Sequence, residues 1–174
     1  AKRVSPRLGS FTESFPDWTL RLDATNKVVD LETEVDAAIR YGSGSYRDLI
    51  TETLFQDFFA PVCTPTIAVA ARENLKQVTL IHFEWGQEAR DHELAPVWRN
   101  WLIRAGRDDF DPAAGLSFTD EIHAVQATIA GQGIGLLSLT LVAEELASGT
   151  LMQPFDLSLE SFKYSLVYSA RAAE

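Results

Sequence analysis

Alternating apolar and polar residues near the start of the chain predict a strand with one solvent-exposed face. Apolar residues occupy every second position from Leu20 to Ala24 within the segment Thr19–Ala24. Strict alternation is typical of a β-strand that buries one face and leaves the other in water. In an α/β protein such a strand lies at an edge of the sheet, and an exposed edge has to be covered or used by a partner. We therefore expect Thr19–Ala24 to be an edge strand.

Further along the chain, short apolar runs predict strands, and apolar residues at +3 and +4 spacing predict helices. The other extended segments expected are Ala37–Tyr41, Thr51–Thr64, Val78–Phe83, Leu116–Phe118, Ile134–Leu137 and Phe162–Ser169. The helices expected are Pro6–Phe15, Val28–Glu34, Pro96–Ala105, Asp120–Ala130 and Val142–Ser148. Strands that alternate with helices indicate an α/β protein with a parallel or mixed sheet. Two such series, before and after Pro65, suggest two lobes.

Composition narrows the class of protein. The chain has 174 residues, 46% of them hydrophobic, which is enough for a sizeable core in one domain or two lobes. Its net charge of −10, with scattered basic residues, makes this segment a poor nucleic-acid binder by itself. No apolar run approaches the ~18 residues of a membrane span, and no secretory leader is visible. The single Cys63 suits a reducing compartment, so we expect a cytoplasmic location, although a processed leader would leave no trace.

Several motifs resemble catalytic or ligand-binding sequences only in part. The glycines of Gly131–Gly135 follow a predicted helix and precede a strand, the reverse of a dinucleotide-binding loop, so a helix cap and turn are favoured. Asp108, Asp109 and Asp111 crowd one loop, but Ala114 stands where a calcium-binding loop needs glycine. The three histidines and the cysteine lack metal-ligand spacing. We therefore expect no metal, no cofactor and no enzymatic activity.

The segment Ser117–Asp120 lies between a predicted strand and a predicted helix. Thr119 or Asp120 is a natural N-cap for that helix. A helix N-terminus at the carboxyl edge of a sheet also offers free N–H groups to an anion. Trp98 and Trp101, by contrast, share the apolar face of the predicted helix Pro96–Ala105, so we expect them in the core rather than against a ligand.

Seven short segments, in order along the chain, resemble the effector-binding domain of LysR-type transcriptional regulators. The similarity is to the subgroup that includes the glycine-cleavage and β-lactamase regulators. The segments are Arg7–Asp17, Thr25–Leu31, Val35–Gly44 (VDAAIRYGSG), Pro61–Pro65 (PVCTP), Val125–Ile134, Gly149–Phe155 and Tyr164–Tyr168. Each is short, and their common order gives the resemblance its weight.

The resemblance implies an α/β fold with two Rossmann-like lobes of the periplasmic-binding-protein type (type 2), joined by two crossover strands. Lobe I would comprise residues 1–64 plus 164–174 and would be incomplete at both ends, and lobe II would comprise residues 65–163. The DNA-binding helix-turn-helix domain would be absent from this chain, in agreement with its acidity. A solute-binding protein of a transporter shares this architecture and is the alternative.

The resemblance also implies an inter-lobe cleft for a small-molecule effector, anionic or amide-bearing. The residues that it carries over to this cleft are Thr25, Asn26, Arg40, Tyr41, Val62, Thr64, Thr119, Asp120 and Tyr164. Two roles stay open for Arg40, which could attract an anionic effector or pair with a neighbouring carboxylate. The protein would form a homodimer or homotetramer, in which the edge strand Thr19–Ala24 and the helix before it pair with the second lobe of another subunit, near its helix Asp120–Ala130. It would reach DNA only through the absent domain.

Overall fold

The computed structural model describes residues 4–25, 28–107 and 111–173, in which strands and helices alternate. The strands are β1 (Ala37–Gly42), β2 (Ile50–Val62), β3 (Leu80–Phe83), β4 (Leu116–Phe118), β5 (Ile134–Ser138) and β6 (Leu159–Tyr168). The α-helices are α1 (Leu8–Ser14), α2 (Pro65–Asn74), α3 (Gln87–Arg90), α4 (Trp98–Arg104), α5 (Glu121–Ile129) and α6 (Ala143–Ala147). Short 3₁₀ helices occur at Ser5–Arg7, Leu75–Gln77 and Ala170–Ala173.

The strands of the described residues form one mixed sheet in the order β1-β6-β2-β5-β3-β4. The pairs β1–β6, β6–β2 and β2–β5 are antiparallel, whereas β5–β3 and β3–β4 are parallel. This confirms the mixed α/β class. The sheet is continuous through β2, so the expected division into two lobes is not resolved in it.

Helices cover both faces of the parallel half of the sheet. Neighbouring residues of each strand point to opposite faces, so each strand contributes side chains to both helix layers. Leu80 and Leu136 pack with α2 and α4 on one face, and Ile81 and Leu137 pack with α5 and α6 on the other. These strands are buried from both sides, which explains why the sequence shows them as short continuous apolar runs.

Two tryptophans anchor α4 to the sheet. Trp98 and Trp101 are both almost fully buried, and their rings meet edge to face with centroids 5.7 Å apart. Trp98 Nε1 donates to the carbonyl of Ile81 at 2.9 Å, and Trp101 Nε1 donates to the carbonyl of Leu157 at 2.9 Å. The prediction that both belong to the core is confirmed. The helix itself is shorter than predicted and begins at Trp98, after the N-cap Val97.

The N-terminal predictions fit the structure less well. Residues 18–25 have no regular secondary structure, so the predicted edge strand Thr19–Ala24 is wrong. Leu20 and Leu22 remain exposed, and no described strand pairs with this segment, although a strand needs a hydrogen-bonded neighbour. The predicted helix Val28–Glu34 is also wrong. The Asp30 carboxylate accepts hydrogen bonds from the Glu32 N–H and the Thr33 hydroxyl, both at 2.8 Å, and closes a turn instead.

The C-terminal half follows its predictions closely. α5 lies within the predicted Asp120–Ala130, and Gly131 ends it with a φ of +71°. The N–H groups of Gly131 and Gln132 return to carbonyls of the last turn, which confirms a helix cap rather than a dinucleotide loop. β6 begins at Leu159, earlier than the predicted Phe162. α2 was not among the predicted helices. No helix in the described ranges has the length and apolarity that crossing a membrane requires.

Candidate functional site

An aromatic cluster lies where β1 and β6 pair. Tyr41 of β1 is the register partner of Tyr164 of β6, and their ring centroids are 4.6 Å apart. Phe162 and Trp85 approach Tyr41 with centroid distances of 5.5 and 5.9 Å, and Phe55 of β2 lies 4.9 Å from Tyr164. The structure therefore brings together two of the predicted cleft residues, Tyr41 and Tyr164, with three aromatic neighbours.

The two tyrosines are only partly exposed to water, and their phenols stay neutral. The Tyr41 hydroxyl donates to Ser161 Oγ at 2.9 Å, and Ser161 Oγ donates to the carbonyl of Leu94 at 3.1 Å. Burial raises the pKa of both Tyr41 and Tyr164 far above that of a free phenol. Negative charges on Asp57 and Glu121 raise both pKa values further.

Asp57 of β2 is fully buried. Its Oδ1 accepts a hydrogen bond from Ser138 Oγ at 2.9 Å and from the Phe58 N–H at 3.0 Å. Burial raises the pKa of Asp57, although hydrogen bonds from Ser138 and Thr140 act in the opposite direction. A carboxyl group in this setting is costly to ionise without a counter-charge.

Glu121 is the first residue of α5 and lies against the same serine. The Ser138 main chain hydrogen-bonds the Glu121 carboxyl group, whereas the Ser138 side chain binds Asp57. Burial raises the pKa of Glu121 to about 7, and the neighbouring negative charge of Asp57 acts in the same direction. One serine thus holds two carboxyl groups close together.

Strand directions explain why these residues meet. β3, β4 and β5 are parallel, so their carboxyl ends lie at one edge of the sheet. Trp85 follows β3, Glu121 follows β4 at the start of α5, and Ser138 is the last residue of β5. Asp57 arrives on antiparallel β2, two residues before Phe59, the register partner of Ser138. The carboxyl edge of parallel strands is where open α/β sheets bind ligands.

The predicted residues of the Ser117–Asp120 segment lie next to this cluster and are exposed. Asp120 Oδ1 accepts the Ile122 N–H at 2.8 Å, so Asp120 is the N-cap of α5. Thr119 precedes it and faces solvent. The N-cap interpretation of Asp120 is confirmed, and its carboxylate occupies one of the N–H groups that an anion would need.

Other predicted residues lie away from the tyrosines or are engaged. The Arg40 guanidinium donates to the Val29 carbonyl at 3.2 Å and stacks over the Tyr46 ring at 5.0 Å. Thr25 is exposed, and Asn26 lies outside the described residues. Neither of the two open roles of Arg40, attraction of an anion or pairing with a carboxylate, is visible in these contacts.

Val62 and Thr64 lie at the far end of β2. Val62 is fully buried among core residues. Thr64 precedes α2, and its hydroxyl lies 3.9 Å from the position that a Cβ on Gly131 would take. Thr64 is therefore close to the C-terminal end of α5, the opposite end from Asp120. The structure does not bring these two residues to the tyrosine cluster.

Sequence reasoning missed Asp57, Glu121 and Ser138. One signal was available for Asp57, an acidic residue within the long apolar stretch of β2, where only a specific role justifies a charge. Glu121 gave no such signal, because acidic residues are common in the first turn of a helix. Within the described ranges, no group of three acidic, histidine or cysteine side chains could hold a metal ion. Cys63 is buried, and burial raises the pKa of its thiol to about 11.

Comparison with known proteins places this geometry in a family. Residues 1–174 match the family described as LysR substrate binding domain. The glycine cleavage system transcriptional activator of Escherichia coli K12 is 30% identical over 157 residues, which are 87% of this chain and 48% of that protein. The transcriptional activator AmpR of Citrobacter koseri is 32% identical over 158 residues, or 89% of this chain and 52% of that protein. The chain thus spans about half the length of these relatives.

Solved structures agree with the sequence comparison. The effector domain of AmpR from Pseudomonas aeruginosa superposes with a TM-score of 0.73 at 26% identity, covering 96% of this chain and 79% of that one. The regulatory domain of CrgA from Neisseria meningitidis gives a TM-score of 0.67 at 22% identity, covering 98% of this chain and 83% of that one, and supports the fold alone.

Proposed function

Because the chain belongs to the LysR substrate binding domain family as an effector-binding domain, we propose that a small molecule binds beside Tyr41 and Tyr164. Binding would change how the whole regulator holds DNA, by favouring one arrangement of the domain over another. The family is not enzymatic, and the described residues assemble no nucleophile with a base and an oxyanion site. DNA contact would require a helix-turn-helix domain outside this chain.

The observation that carries the proposal is the concentration of aromatic and ionisable side chains at one edge of the sheet. Tyr41, Tyr164, Asp57 and Glu121 come from three strands and one helix that lie far apart along the chain. Partly buried aromatic faces with a few convergent polar groups are typical of small-molecule sites. Thr119 and Asp120 border this group at the start of α5 and belong to the proposed site. The family resemblance adds Thr25, Asn26, Arg40, Val62 and Thr64 as members of a wider cleft, although Val62 and Thr64 lie at the other end of β2, away from the tyrosines.

Two lobes around this site remain part of the proposal. Lobe I would comprise residues 1–64 plus 164–174, and lobe II residues 65–163. The long strand β2 supports this division, since its first part pairs with β6 and its last part pairs with β5. An isolated bridge between Cys63 and Met152 lies just beyond the end of β2, at the proposed boundary.

Self-association in the cytoplasm is the proposed physiological state, as a homodimer or homotetramer. Its support is apolar surface near the N-terminus. Phe15, Trp18, Leu20 and Leu22 are all exposed, and Trp18 has 68% of its surface accessible. Large apolar side chains that are exposed in one short segment are typical of interaction surfaces. Strict monomers at high concentration in sedimentation experiments would argue against this part of the proposal.

The effector site can be tested by thermal denaturation of the protein against a metabolite library. A ligand at 100 times its dissociation constant adds ~2.7 kcal/mol of stability. We expect Tyr164→Ala to abolish the shift produced by a ligand, because it removes the ring that packs on Tyr41. Tyr168→Ala, a change of the same size on the same strand, should retain it. Equal shifts in both variants would refute the site, and mobility shift of promoter DNA by the full-length gene product tests the regulator itself.

A further inference from the structure

Two buried carboxyl groups at the site have oxygen atoms without partners. Asp57 is fully buried, and its Oδ2 makes no hydrogen bond within the described part of the chain. The same holds for the buried Oε1 of Glu121. Ser138 contacts both groups and Thr140 acts on Asp57, yet Asp57 Oδ2 and Glu121 Oε1 have no hydrogen-bond partner within the described residues. A buried acceptor without a donor costs free energy, and here two such acceptors lie close together.

No cation within residues 4–25, 28–107 and 111–173 forms an ion pair with either carboxyl group. The ion pair formed by the described residues joins Arg21 to Asp23 on the surface, and none involves Asp57 or Glu121. The charged groups that act on Glu121 are both acids, Asp57 and Asp120. Because buried charges are normally paired, the site lacks one positive group with N–H donors.

Aromatic rings lie at the same edge of the sheet as the two carboxyl groups. Tyr41 and Tyr164 pack at 4.6 Å between centroids, and Trp85 contacts both Tyr41 and Phe59, which is two residues after Asp57. The acidic oxygens favour a positive charge, and the aromatic faces favour the apolar part of the same ligand.

The start of α5 is poorly suited to an anion. Asp120 already caps it through the Ile122 N–H, and Glu121 adds a second acid in the first turn. Arg40, which the family resemblance offered as a group to attract an anion, is engaged with the Val29 carbonyl and the Tyr46 ring. An anionic group would therefore meet like charges at this edge of the sheet rather than free donors.

From this geometry we propose that the effector carries a protonated amine, which binds Asp57 Oδ2 and Glu121 Oε1 with its hydrocarbon part against Tyr41 and Tyr164. This assignment rests on the proposed function and replaces the anionic effector that the sequence suggested. An ammonium group supplies the donors that both oxygens lack and the charge that offsets the pair. Its three N–H groups can reach two carboxylates at once.

The test uses three probes of one shape: butylammonium, butanol and butyrate, titrated at constant ionic strength. Apparent dissociation constants come from the shift of the melting temperature with probe concentration. In the wild type we expect butylammonium to bind at least tenfold more tightly than the other two. Glu121→Gln should remove this preference, and Asp57→Asn serves as an independent variant of the second carboxyl group. Glu144→Gln, an exposed change on α6, should keep it.

The outcomes separate this inference from the proposed function. The proposal of an amine ligand would be overturned by equal binding of the three probes or by tighter binding of butyrate. A preference for butylammonium that is unchanged in Glu121→Gln would overturn it as well. If a neutral or anionic metabolite stabilises the protein, and Tyr164→Ala abolishes that effect, the amine is refuted while the effector site stands. If no compound of any charge binds, both proposals fail.

Discussion

Replacing Glu121 by glutamine should stabilise the ligand-free protein above neutral pH and leave it unchanged in acid. Burial first, and the neighbouring Asp57 charge second, raise the pKa of Glu121 from 4.5 to about 7 in the folded protein. Between these pH values the folded chain holds a proton that the unfolded chain has lost, so the free energy of unfolding falls as pH rises. The penalty is absent below about pH 4.5 and complete above about pH 7. Glutamine cannot ionise, so the variant does not have this penalty.

The size of the effect follows from the pKa difference. A change from 4.5 to about 7 corresponds to about 3 kcal/mol at ~1.4 kcal/mol for each pH unit. For a chain of this length, 1 kcal/mol moves the melting temperature by roughly 2–4 °C. Glu121→Gln should therefore melt roughly 6–12 °C above the wild type at pH 8. The glutamine carbonyl can still accept the main-chain hydrogen bond from Ser138, and its amide adds a donor beside Asp57.

The assay is urea or thermal denaturation of both proteins from pH 4 to pH 9 in one mixed buffer. The difference in free energy of unfolding should grow through the interval between about pH 4.5 and 7 and then level off. Glu144→Gln is the matched control, because it removes an exposed acid from α6, and its difference from wild type should not vary with pH in this way. A Glu121→Gln curve parallel to the wild type at every pH would show that this carboxyl group is not buried in a costly ionised state.

Three further predictions concern the core, a close backbone contact and the cysteine. Trp101→Ala should cost about 3–5 kcal/mol in urea denaturation, because it empties a buried site and leaves the Leu157 carbonyl without its donor. Gly133→Ala should be severely destabilised, since a Cβ would stand 2.1 Å from the Thr79 carbonyl oxygen, whereas Gly9→Ala, with nothing within 4 Å, should lose no stability. Native Cys63 should react with a disulfide reagent at least ~100-fold more slowly than the urea-unfolded chain, because the buried thiol stays protonated; equal rates would contradict its burial.

The parallel half of the sheet could be predicted because its local and tertiary signals agree. β3, β4 and β5 were expected at nearly their observed positions. For β3 and β5 the reason is burial from both faces, which leaves a short apolar run bounded by helix and turn signals. α5 was placed within one residue at each end, with Asp120 as its cap and Gly131 at its end. These positions are decided by residues that lie next to each other along the chain.

Two N-terminal predictions failed for different reasons, a missing strand partner and a competing local turn. The alternation of Thr19–Ala24 fits a strand, but no described strand pairs with it, and its apolar residues stay exposed. Val28–Glu34 has the composition of a helix, yet the side chain of Asp30 closes a competing turn. Sequence patterns record a preference for burial. They do not record which surface is available to satisfy it.

The position of the candidate site follows from a change in strand direction. β5 is the strand at which the sheet passes from antiparallel pairing with β2 to parallel pairing with β3. At such a strand a residue from the interior of an antiparallel neighbour comes level with the carboxyl ends of parallel ones, as Asp57 does with Ser138 and Glu121. Family resemblance directed attention to strand ends and helix starts, and among them to Tyr41, Tyr164 and Asp120 of the proposed site. It could not find Asp57, because a charged residue inside a strand reaches a ligand edge only through the register of β2 against β5.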